Sequence, residues 1–179
     1  HLFWSAGVDC VHPTIDHEVR LGTRFMRLAA AARWLPPAAW TDCYGTNPYH
    51  RPEDREVHFL VANFIRAFGP ARWREAWRAC AHGELRRLGF NTVGNWSDEA
   101  AARQSGIPYV RPLELGFRFP RAPLIADGFP DPFAPGIAED AAPYAEQLRA
   151  TADDPALLGY FLHNKPGWHG EGTPPAAAM

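Results

Sequence analysis

"LRRLGFNTVGNWSD", residues 85–98, carries a helix end, a short strand and the start of a second helix. Upstream of it, Trp73, Trp77, Cys80, Leu85 and Leu88 recur on one face of residues 71–89 while arginines line the other, and Gly89 supplies the stop. The Trp73/Trp77 pair at i, i+4 reads as a packed helix face, not a sugar platform. Phe90 to Trp96 then forms a strand, and Ser97 or Asp98 caps a helix over 97–106. Helix, strand, helix in so few residues is the repeat of a parallel α/β fold with right-handed crossovers.

The same alternation extends both ways. "LFWSAGVDCV" (2–11) reads as a buried strand, "YVRPLEL" (109–115) as another, and "LLGYFLHN" (157–164) as a strand covered on both faces. Val57, Leu60, Val61, Phe64, Ile65 and Phe68 recur at three and four up to Gly69-Pro70, predicting a helix. A further amphipathic helix is expected over 137–152, after a Pro- and Gly-rich loop from Gly116 to Pro135. Residues 12–56, with Pro13, Pro36, Pro37, Pro48 and Pro52, show few periodic signals and are expected to form a long irregular insertion. The tail from 169 to 179 is expected to be disordered.

The totals exclude several classes. The 179 residues are 46% hydrophobic and 21% charged, with a net charge of −2, so no electrostatic case exists for nucleic acid or an anionic membrane. No apolar run approaches the roughly 20 residues of a membrane span. Cys10, Cys43 and Cys80 lack any C-x-x-C spacing and are expected to be buried free thiols rather than disulfides or zinc ligands. Eight histidines include His163 and His169 near Glu171, but the spacing matches no compact zinc pattern, so neither metal nor cofactor is expected. No signal peptide is visible, and the chain opens on His1 rather than Met.

In parallel α/β folds ligands sit at the carboxyl ends of the strands. Those ends hold Asp9 and His12, then Asn95, Trp96 and Asp98, then Arg111 and Glu114, and finally His163, Asn164 and Lys165 with Trp168 beyond. Asp98 also suits a helix cap, and Glu114 a surface pair with Arg111 or Arg118. Asn95 with Trp96 makes the better site, because a tryptophan just past a strand end is exposed unless something covers it.

"LRRLGFNTVGNWSD" (85–98), "YVRPLELGF" (109–117), "FPDPFAP" (129–135) and "DPALLGYFLHNKPGW" (154–168) resemble the first half of β-agarase-type and β-galactosidase-like glycoside hydrolases of clan A. The resemblance is spread over most of residues 2–168. It implies an α/β fold of the (β/α)8 TIM-barrel type, here truncated after about four strands, with residues 1–168 as a partial catalytic domain. It implies retaining cleavage of β-linked galactosyl polysaccharides of the agar type, and that substrate class favours a secreted or periplasmic setting. In that family the fourth strand ends in Asn-Glu, where the Asn holds a sugar hydroxyl and the Glu is the general acid/base. Asn164 matches the Asn, whereas Lys165, the chain's one lysine, stands where the Glu belongs. An ammonium cannot serve as the base of the second half-reaction, and the strand bearing the family's nucleophile is not among the four read here.

The expected substrate-binding residues are therefore Asn95, Trp96, Asn164, Glu114, His163 and Trp168, with Lys165 a non-functional occupant of the acid/base position. Three readings follow. One is a segment of a galactan hydrolase that is inactive as it stands. Another is a pseudoenzyme that keeps a saccharide-binding groove. The third is a Schiff-base enzyme using Lys165, which the surrounding residues do not favour. Half a barrel would leave open sheet edges and be marginally stable alone.

Overall fold

The computed structural model describes residues 4–14, 18–20, 34–45, 56–113, 120–126 and 129–162. It divides into two compact units, residues 1–108 and 109–179. In the first unit, strand β1 (Gly7–Val8) pairs in parallel with β5 (Thr92–Val93), Gly7 opposite Thr92 and Val8 opposite Val93. Between them lie β2 (Glu18–Arg20), a short 3-10 helix (Thr41–Cys43), β3 (Tyr44–Gly45), β4 (Glu56–His58), α1 (Phe59–Phe68) and α2 (Trp73–Arg87). The three short strands form an antiparallel sheet in the order β2-β4-β3. Part of the stretch expected to be irregular is thus ordered, in strands too short to display a period of two. Val57 belongs to β4 and not to the helix that the apolar spacing suggested.

The core of this unit gathers Cys43, Val61, Ala62, Ile65, Trp73, Trp77 and Ala101. Trp73 is buried and its indole N–H donates to Asp42 at 2.9 Å, so its polar end is satisfied. Both tryptophans of α2 are packed as the i, i+4 spacing requires. Cys80 and Leu88, placed on the same face from sequence, are exposed instead. The buried stripe follows the i+4 row through Trp73 and Trp77 and then turns to His82. Of the three thiols expected to be buried, Cys43 is buried, Cys10 half-buried and Cys80 exposed. Burial and the adjacent Asp42 push the Cys43 thiol up, with Arg66 opposing, which leaves it protonated and inert.

Helix α2 ends in a Schellman arrangement. Gly89 takes a φ of +86°, Phe90 N–H donates to Leu85 and Gly89 N–H to Arg86. Helix α3 (Glu99–Ser105) starts on Asp98, whose side chain accepts from Ala101 N–H at 2.9 Å, and stops at left-handed Gly106. Asp98 is therefore a cap. His82 joins the two helices: Nδ1 lies 2.7 Å from Ser105 Oγ.

In the second unit, β6 (Tyr109–Pro112) pairs in parallel with β9 (Leu157–Phe161), with a register shift between Tyr109 and Val110. The Pro-rich loop contains a small antiparallel pair, β7 (Leu124–Ala126) and β8 (Phe129–Pro130). Helix α4 (Ile137–Arg149) carries Asp140, whose side chain is wholly buried. Its carboxylate accepts from the Arg121 and Ala122 backbone N–H groups at 2.8 and 3.0 Å and from the Arg121 guanidinium at 2.8 Å. Burial pushes this carboxyl up, but those hydrogen bonds outweigh it and hold its pKa below the ordinary 3.8. The 120–122 turn is thereby fastened to α4. Among the described residues, no helix is long and apolar enough to cross a membrane.

Candidate functional site

The carboxyl ends of β1 and β5 continue into two loops that stay bonded to each other beyond the strands. Gly94 N–H donates to Val8 C=O at 2.8 Å, and Cys10 N–H donates to Asn95 C=O at 2.8 Å. Asp98 N–H reaches Val11 C=O at 2.9 Å, while Val11 N–H donates to Ser97 Oγ at 3.1 Å. At the centre, Asp9 Oδ1 accepts from Asn95 N–H at 2.7 Å.

That contact depends on a glycine. A Cβ at Gly94 would stand 1.8 Å from Asp9 Oδ1, so any side chain there would expel the carboxylate. Once past the sheet, both chains enter the left-handed region at non-glycine residues, Cys10 with φ 58° and Trp96 with φ 57°. Each such residue costs on the order of 1–3 kcal/mol, and this strain persists because the surrounding bonds impose it.

The arrangement presents two chemically distinct groups. Asn95 is 2% exposed, and among the described residues no donor reaches its Oδ1. A buried acceptor left so costs about 1–3 kcal/mol, and a hydroxyl would satisfy it. Trp96, next in the chain, is 36% exposed, so part of its indole is open for stacking on the apolar face of a ring. His12 serves its own turn, with Nδ1 accepting from Thr14 N–H at 3.1 Å. Among the described residues, no group of three or more His, Cys, Asp or Glu could hold a metal ion.

Of the residues singled out from sequence, the structure brings Asn95 and Trp96 together with Asp9. Glu114, His163, Asn164, Lys165 and Trp168 lie outside the described residues. The close approach at Gly94, the bond of Ser97 to Val11 N–H and the role of Asp9 as an acceptor were not read from sequence. A glycine directly after the paired residues of β5 was the available signal, since such a residue marks a close backbone approach.

No family model matches the sequence. Beta-agarase A of Vibrio sp. (strain JT0107) is 30% identical over 184 aligned residues, which cover 94% of this chain and 18% of that protein. A crystal structure of an agarase matches with a TM-score of 0.69 at 22% identity, covering 96% of this chain and 28% of that one. An exo-beta-agarase structure matches at 0.57 and 23% identity, covering 78% and 20%. The chain thus spans less than a third of each of these relatives. Over nearly its whole length the chain is thus similar in sequence to part of a beta-agarase, and its fold matches part of two solved agarase structures.

Proposed function

We propose that this chain is the saccharide-binding first part of a (β/α)8-type hydrolase of β-linked galactan, and that with Lys165 in the acid/base position it binds agar-type saccharide without cleaving it. The observation that carries the binding half is the succession of Asn95 and Trp96 just past β5, a buried acceptor that meets no donor among the described residues next to a partly open indole. Hydroxyl and apolar ring face are the two features every pyranose offers. Asn164, through the family pattern, and Glu114, His163 and Trp168, from their places at or beyond strand ends, are proposed as further saccharide-binding residues.

Retention needs two carboxyls about 5–5.5 Å apart, one of them alternating as acid and base. Lysine can donate a proton but, once it has done so, offers no carboxylate to activate water. Its charge would also oppose an oxocarbenium-like transition state. The binding-without-cleavage reading accordingly covers both a disabled hydrolase segment and a pseudoenzyme.

Calorimetric titration with an agaro-tetrasaccharide, beside a reducing-end assay on agarose, tests this. Saccharide binding that Asn95→Ala weakens roughly tenfold, with no new reducing ends, is expected. Hydrolysis by the Lys165 form would overturn the acid/base assignment, and absence of binding would overturn the groove.

A further inference from the structure

A cavity of about 370 Å³ opens in the first unit between α2 and α3, with Pro13 also in its lining. It lies apart from the indole of Trp96, although Asp98, on its wall, is only two residues further along the chain. We propose that this cavity is a second saccharide subsite, taking a neutral hydroxylated sugar ring. The inference rests on the polysaccharide reading above and adds a site to it.

The wall chemistry selects the ligand class. Arg74 and Arg78, one turn apart on α2, face the cavity together with Glu75 and Asp98, two positive and two negative groups. These charges do not neutralise one another. Arg74 stacks over the Trp73 ring at 4.5 Å and pairs with Asp42 at 3.6 Å, away from either wall acid. Arg78 donates one N–H to Gln104 Oε1, and among the described residues its other N–H groups meet no acceptor. Asp98 commits Oδ1 to Ala101 N–H, and among the described residues its second oxygen meets no donor.

An anion would be attracted by the guanidiniums and repelled by the two carboxylates, and a cation would meet the converse. A hydroxyl suits both, because it accepts from a guanidinium and donates to a carboxylate at once. Several hydroxyls fixed on one ring would bridge the separated groups. The volume is at the lower end for ligand pockets, which run to about 1,000 Å³. It therefore fits one or two rings and not an extended chain.

The test uses the Asn95→Ala chain, in which the strand-end site is weakened, with agaro-tetrasaccharide as probe and amide hydrogen exchange as local readout. Residual sugar binding should protect residues 74–78 and 98–104, and adding Arg78→Ala should weaken it roughly tenfold. Ala100→Phe, an exposed position on the rim, should block the cavity while leaving its polar contacts in place. Residual binding indifferent to both substitutions, or no residual binding at all, would overturn the subsite while leaving the strand-end site standing if the unmodified chain binds. Binding lost with Arg78→Ala yet untouched by Asn95→Ala would uphold the cavity and overturn the strand-end reading. Equal protection by inorganic sulfate would make the ligand an anion and defeat the proposal.

Discussion

Gly94 and Trp96 make opposite demands on the chain. Gly94 must lack a side chain so that Asp9 can accept from Asn95 N–H, whereas Trp96 occupies a left-handed conformation that its bulk disfavours. Gly94→Ala forces the Asp9 carboxylate out, and a loss of about 1–3 kcal/mol is expected from chemical denaturation, together with loss of saccharide binding. Trp96→Asn should behave differently. Asparagine tolerates the left-handed region, so the relief of strain offsets the lost indole contacts. Stability within about 1 kcal/mol of the original is expected, with saccharide affinity down roughly tenfold. A fall in stability as large as that of Gly94→Ala would mean the indole is there for packing.

Among the elements, the joint between α2 and α3 carries a pH dependence. His82 is 1% exposed and bonded to Ser105. Burial, then the Arg86 and Arg78 guanidiniums, push its imidazole below 6.5, against the pull of Asp98. The native state keeps it neutral while the unfolded chain takes up a proton below pH 6.5, so this contribution is full above 6.5 and is lost as pH falls beneath it. Between pH 7.5 and 5.5 the melting temperature of His82→Gln should drop less than that of the parent. Equal drops would remove His82 from the account.

Helix ends were legible at this scale because Gly89 and Asp98 act through their own local geometry. His82 was not, since its burial depends on a serine 23 positions away. The strands were read too long for a related reason. From Phe90 to Trp96 the residues look uniformly strand-like, but left-handed Cys10 and Trp96 break the ladder past Val93, and bonds such as that to Asp9 replace it. Asn95 and Trp96 could be picked out by position at a strand end, whereas the link to Asp9 joins residues 86 apart in sequence.

For the whole molecule, surface apolarity matters most. Leu158 and Phe161 on β9, and Leu162 just beyond it, are 45%, 43% and 65% exposed, and Trp4 and Phe133 more so. A parallel strand with apolar side chains in water invites association with another chain. Sedimentation velocity should show self-association that rises with concentration and is reduced by Leu158→Lys with Leu162→Lys; a concentration-independent monomer would contradict this.

The binding claim is tested most directly by a thermal melt of the chain with and without agaro-tetrasaccharide at about ten times its dissociation constant. Mass action then raises the melting temperature by about 3–6 °C, and Trp96→Asn under the same conditions should show only about a third of that rise. No rise in the parent chain, or an equal rise in the variant, would contradict a saccharide site at the ends of β1 and β5.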